Sequence, residues 1–279
     1  MMMMTSDRLI EITHPDDPRI AEFRDIRERD LTGRESRFIA EGTVVLRLLA
    51  GAHAASGDFV AEKVLLLRNR VSGLSDIIDV LPTDVPVYVA TSEVLDGIVG
   101  FHLHRGVLAL GRRKSEIELG AFLDRLPQQA LVLAGCGISN HDNMGSMFRN
   151  AAAFGADAVL LDESCCDPLY RKALRVSVGS ILTLPYCRQS SDLGLLAAMA
   201  DRSFAIWSLS PQGKVDIRDV PACERMALVV GTEGDGLPQS ILSAFGSVRI
   251  PQAPGLDSLN VATASGIALF EMAARIKRI

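Results

Sequence analysis

From Gln129 to the end, the chain repeats one unit: a short apolar run followed by a helical stretch. Apolar runs fall at Ala130–Ala134, Ala158–Leu161, Ser180–Leu184, Phe204–Leu209, Ala227–Val230 and Val248–Ile250. Helical stretches lie between or after them, at Met144–Phe154, Asp192–Asp201, Pro238–Ala244 and Ser258–Ile276. Uninterrupted apolar strands alternating with helices predict an α/β fold, a mainly parallel sheet covered on both faces. Ligands of such sheets bind beyond the carboxyl ends of the strands. The loops around residues 135–145, 231–237 and 251–260 are therefore the places to look for chemistry.

The first part of the chain has a different texture. Pro18–Asp30 and Gly42–Ala52 read as helices, and Val64–Leu67, Val87–Val89 and Val107–Leu110 as short strands. The polar stretch Gly111–Glu118 reads as a linker. Two domains are expected, 1–112 and 119–279. The 279 residues allow each its own core, and 48% apolar with 23% charged residues describe a globular chain. The apolar runs are too short for membrane spans, and the Met1–Met4 opening has no signal-peptide core, so a cytoplasmic protein is expected. None of the five cysteines forms a C-x-x-C pair, so reduced structural thiols are expected and no metal.

The net charge of −5 does not favour a nucleic-acid partner, and distribution decides. Six arginines lie between Arg19 and Arg37, where they either line one face or pair with the five acids among them.

The three loops carry distinct chemistry. Gly135–Gly145 leads into a helix with Arg149 in its first turns, and Asn143 stands where it could cap that helix. A cation beside free helix N–H groups suits an anion, although a capping Asn with a surface Arg would look the same. Gly135-x-Gly137 also suggests a dinucleotide fingerprint, but Asn140 replaces its third glycine, and Asp162 is the available ribose acid. The second loop, Val229–Pro238, holds Gly231, Gly234 and Gly236 with Glu233 and Asp235. It lacks a P-loop lysine and suits a ligand with hydroxyls, an amine or a sulfonium. The third, Ile250–Asn260, places Ser258 and Asn260 at a helix start. Ser258 lacks the G-x-S-x-G context, and no histidine follows His141, which leaves a hydrolase triad unsupported.

Together these segments resemble the three motifs of the SpoU (TrmH-like) branch of the SPOUT methyltransferases. N-x-G-x-x-x-R-x-A-x-x-F-G is matched by Asn143, Gly145, Arg149, Ala151, Phe154 and Gly155. G-x-E-G-x-G-L is matched by Gly231, Glu233, Gly234, Gly236 and Leu237. I-P followed by S-L-N-V is matched by Ile250, Pro251, Ser258, Leu259, Asn260 and Val261. One departure is Asn140-His141-Asp142, where the family often has Asp-Pro before the asparagine. The opening, with its Arg-rich helix, Phe38–Gly42 and His104-Arg105-Gly106, resembles the family's N-terminal substrate-binding domain.

The resemblance implies a deep trefoil knot in the C-terminal domain and S-adenosylmethionine as cofactor. It places the cofactor against Val230, Gly231, Thr232, Gly234, Gly236, Ile250, Pro251, Leu259 and Asn260. It implies methyl transfer to a ribose 2′-hydroxyl of structured RNA, ribosomal or transfer. A homodimer would complete the site, with Arg149 beside the partner subunit's cofactor. Arg149, Asn143, Glu233, Ser258 and Asn260 are the catalytic candidates; Arg24, Arg27, Arg34, His104 and Arg105 are the RNA-binding candidates. A guanidinium with its very high pKa is a reluctant base, so positioning phosphate or stabilising an alkoxide is the easier role for Arg149. Asn143 would orient Arg149 or the ribose. The alternative is an RNA-binding protein that keeps the fold without catalysis.

Overall fold

The computed structural model describes residues 8–24, 32, 36–55, 57–99, 106–114, 116–255 and 257–279. The chain forms two compact units, Met1–Ser115 with Leu169–Thr183, and Glu116–Pro168 with Leu184–Ile279. The segment 169–183 lies inside the sequence range expected for the second domain yet packs with the first unit.

The first unit holds strands β1 (Leu9–Ile12), β2 (Arg37–Glu41), β3 (Phe59–Leu67), β4 (Val87–Ala90) and β5 (Val107–Arg113). Their order is β1-β4-β3-β5-β2, so β2 is an edge strand. β1, β4 and β3 run parallel, and β5 is antiparallel to both β3 and β2. Its helices are α1 (Thr43–Ala54), α2 (Ser75–Val80) and α3 (Ser92–Val99). Ile12, Ile20, Phe23, Ile39, Leu65 and Leu110 build one core against this sheet. Two expectations change here. Gly111–Arg113 is ladder, not linker, because these residues pair with both β2 and β3. Pro18–Phe23 is a 3-10 turn kinked at Ile20 rather than the start of a long helix. Asp17 caps it by accepting from Arg19 N at 2.9 Å; residues 25–30 of the expected helix lie outside the described residues.

In the second unit, helix α4 (Leu119–Asp124) precedes strands β6 (Ala130–Gly135), β7 (Ala158–Leu161), β8 (Tyr186–Arg188), β9 (Ala205–Leu209), β10 (Val215–Asp216), β11 (Arg225–Val230) and β12 (Gly246–Arg249). The sheet order is β10-β12-β9-β11-β6-β7-β8, and every pairing is parallel. β6 and β7 are buried along their whole length, as their unbroken apolar runs demand. The helices are α5 (His141–Ala153), α7 (Asp192–Ala200), α8 (Gln239–Ala244) and α9 (Val261–Arg275); α6 (Arg171–Val176) belongs to the first unit. The run Ser180–Leu184 is not a strand. Val178 and Gly179 take positive φ, a short 3-10 turn covers Ser180–Leu182, and the strand begins after Pro185.

Phe148 of α5 is fully buried and meets Tyr186 of β8 edge-on, with ring centroids 5.4 Å apart. Helix α9 packs on α5, where Gly266 lets the Asn150 amide approach and donate to Ala262 O at 2.7 Å. All five cysteines are free. Burial and the Asp162 charge push the Cys136 thiol up to about 12; burial and Asp167 take Cys166 to about 11.

Phe148→Ala should lower stability by about 3–5 kcal/mol, the usual cost of such a cavity; urea denaturation followed by tryptophan fluorescence checks it. Thiol labelling of the native protein at pH 8 should modify Cys223 well before Cys136, with mass spectrometry identifying the sites.

Candidate functional site

A cleft of about 810 Å³ opens at the carboxyl ends of β9, β11 and β12. Its walls come from residues 209–212, 230–239, 242, 250, 252, 257–261 and 264. Two of these segments are loops singled out from the sequence, brought together because β11 and β12 both flank β9.

The loop after β11 is closed on itself. Thr232 bridges Gly236, and its Oγ1 donates to Gly236 O at 3.1 Å. Glu233, Gly234 and Asp235 form the tip. Gly234 and Gly236 have φ of 95° and 70°, conformations that favour glycine, and a Cβ at either would meet nothing within 4 Å. Gly231 is required for a different reason: a Cβ there would lie 2.5 Å from the Gly236 backbone.

Asn260 begins α9. Its Oδ1 accepts from Ala262 N at 2.9 Å and Thr263 N at 3.2 Å, a side-chain cap that delays the expected helix start from Ser258 to Val261. Its Nδ2 donates to Asn143 Oδ1 at 2.9 Å, joining the third motif to the first across 117 residues. Asn143 is not the cap of α5. Asn140 is, accepting from Asp142 N at 2.8 Å, while Asn143 is buried in the first turn. This hydrogen bond to Asn260 makes Asn143 a support for α9.

Arg149 is exposed on α5, makes no ion pair among the described residues, and is not in the wall of the cleft. Val230, Gly231, Thr232, Glu233, Gly234, Gly236, Ile250, Ser258, Leu259 and Asn260 are in the wall; Pro251 and Asn143 are not. The sequence reading missed residues 209–212, although the turn signal Ser210-Pro211-Gln212-Gly213 directly follows a strand end. It also missed Gln252, whose Oε1 is buried in the wall without a hydrogen-bond partner. Among the described residues the wall carries Glu233, Asp235 and Asp257 and no Lys or Arg.

Asp162, weighed above as a ribose acid, is fully engaged locally. It accepts from Gly137 N at 3.1 Å, Ser164 Oγ at 2.9 Å and Cys165 N at 2.9 Å. It therefore holds the loop after β6. Of the RNA-binding candidates, Arg24 is paired with Asp16 at 3.1 Å. Arg27, Arg34, His104 and Arg105 lie outside the described residues. Ser36 and Gly106, next to those segments, stand at opposite ends of the β2–β5 ladder. Among the described residues no group of three His, Cys, Asp or Glu could hold a metal ion, and no helix is long and apolar enough to cross a membrane.

Residues 130–270, just over half the chain, match the SpoU rRNA methylase family. An uncharacterised tRNA/rRNA methyltransferase of Mycobacterium bovis is 37% identical, with 94% of this chain and 90% of that protein covered. Another, from Synechocystis, is 29% identical over 97% of this chain and 96% of its own. An AdoMet-bound rRNA methyltransferase from Sinorhizobium meliloti shares the fold with a TM-score of 0.80 at 23% identity, covering 96% of this chain and 98% of its own. The SpoU methyltransferase AviRb from Streptomyces viridochromogenes, solved in complex with AdoMet, gives 0.75 at 20% identity, covering 94% and 100%. With both the matched half and the near full-length relative in agreement, the chain belongs to the SpoU rRNA methylase family.

Proposed function

We propose that this member of the SpoU family transfers a methyl group from S-adenosylmethionine to a ribose 2′-hydroxyl of structured RNA, ribosomal or transfer. The observation that carries the reading is the glycine-built cleft, whose wall contains the second and third motifs together. The cleft suits this cofactor. Side-chain-free backbone at Gly234 and Gly236 leaves room for close approach, three carboxylates favour a cation, and the orphaned Gln252 Oε1 is an acceptor for an amine. Val230, Gly231, Thr232, Ile250, Leu259 and Asn260 would hold it, with Pro251 fixing the entry of the third loop. When bound, S-adenosylmethionine supplies an electrophilic methyl on a sulfonium.

The residues of this chain then have to orient the hydroxyl in line and ease its proton loss. Arg149 is assigned to the RNA phosphate and the developing alkoxide, from the partner subunit of a homodimer. Its exposed position outside the cleft of its own chain supports that assignment, as does the apolar surface nearby. Phe154 stacks edge-on with Phe270, and Ile267 and Phe270 are exposed on α9. Glu233 and Ser258, both in the cleft wall, are assigned to the ribose, and Asn143 acts through Asn260. A deep trefoil knot belongs to the same proposal; the shared cleft of the 231–237 and 250–260 segments, and the return of α9 onto α5, support it. RNA as substrate is consistent with the cytoplasm as the site of action.

Incubation with S-adenosylmethionine and RNA from cells lacking this protein, followed by nuclease digestion and mass spectrometry, should yield 2′-O-methylated nucleosides. Base-methylated products alone would overturn the ribose assignment. Arg149→Ala should lower turnover by about 10²-fold or more while calorimetric cofactor affinity stays at the wild-type value; a near-native rate removes Arg149 from the mechanism. Gly231→Ala forces the loop apart, an overpacking cost of about 1–3 kcal/mol. Cofactor affinity should therefore fall roughly ten-fold or more, measured by calorimetry.

A further inference from the structure

Glycine is among the poorest residues for the middle of a helix, yet Gly266 stands inside α9. A Cβ there would lie 2.9 Å from Asn150 Nδ2 and 3.2 Å from its Cγ. The added methyl could be accommodated only by moving the Asn150 amide. That amide is committed, because its Nδ2 donates to Ala262 O at 2.7 Å across 112 residues of chain. A carbonyl oxygen can only accept, so this partner also fixes which way the amide points.

Ala262 lies in the first turn of α9, two residues after the capping Asn260. The turn has two faces. Val261 and Ala264 line the cleft, together with Leu259 and Asn260. Ala262 and Ser265 are buried and stand outside the wall. Ser265 Oγ donates to Ala262 O at 2.9 Å, so the backbone behind the wall is held by a side chain from each helix.

Asn150 and Asn143 are seven residues apart, two turns along one face of α5. Asn143 accepts from Asn260, and Asn150 donates to Ala262. Helix α5 therefore grips the start of α9 at two points.

We infer that Asn150 is a positioning residue for the cofactor, holding the first turn of α9 where Val261 and Ala264 form the cleft wall. The inference rests on the reading of this cleft as the site of S-adenosylmethionine. Asn150 is not in the wall, and it acts through the Ala262 carbonyl. A binding wall is only as exact as the contacts that support it from behind. Arg149 is the preceding residue on α5, so the same anchor ties the helix that carries it to the cofactor wall of its own chain.

The test measures S-adenosylmethionine affinity by calorimetry, and melting temperature, in the full chain. Asn150→Ala, and Asn150→Asp, which removes the donor at nearly unchanged shape, should each weaken binding several-fold. Gly266→Ala should do the same, because its methyl displaces the amide. The double variant Asn150→Ala/Gly266→Ala separates positioning from packing. Alanine is the better helix former and fills space left by the amide, so the double variant should melt above Asn150→Ala. Its affinity should stay as low as that of Asn150→Ala. If stability and affinity return together, Asn150 is a packing group only and the assignment is overturned. If Gly231→Ala weakens binding and no Asn150 variant does, the assignment also falls while the cleft reading stands. If neither Gly231→Ala nor the Asn150 variants weaken binding, both fall.

Discussion

The structure of the second unit turns on a pair of asparagines. Asn260 uses one end of its amide to cap α9 and the other to hold Asn143 in the first turn of α5. A neutral hydrogen bond of this kind contributes only about 0.5–1.5 kcal/mol net, and an N-cap about 0.5–2 kcal/mol. The geometric consequence is larger than either. The Asn143 amide is buried, so losing Asn260 would strand its oxygen without a partner and release the start of α9 together with the loop before it. That loop is one wall of the cleft. A side-chain pair thus converts two remote motifs into a single rigid feature, and the glycine loop after β11 is set against it.

Charge is divided in the same purposeful way. Among the described residues the cleft wall carries carboxylates and no cation, which suits a sulfonium and repels phosphate. In the first unit, by contrast, Glu62 and Glu41 are each shared by two guanidiniums. The bulge in β3 and the docking of α6 on β2 are the devices that gather two arginines around each acid. Neither follows from composition.

Family membership, the parallel α/β sheet and the three motif loops were legible in the chain itself. Strands such as β6 and β7 announce themselves because burial on both faces permits no polar interruption. Motif residues are readable because their chemistry is tied to fixed spacing. Local competition defeated the reading elsewhere. Asn140 and Asn143 are both plausible caps by residue type, and only the packing of α9 decides which one is buried. The run Ser180–Leu184 has strand composition, but left-handed Val178 and Gly179 divert it into a turn.

What the sequence determined alone was the family motifs and the loops that carry them, since hydrophobic period and motif spacing are local properties. What only the tertiary structure decided was which of those groups meet. Asn143 meets Asn260; Gln252 and residues 209–212 join the cleft; Glu41 and Glu62 each gather two arginines. These are contacts between residues far apart in the chain. Strand order and helix docking set them, and no local pattern of residues encodes either.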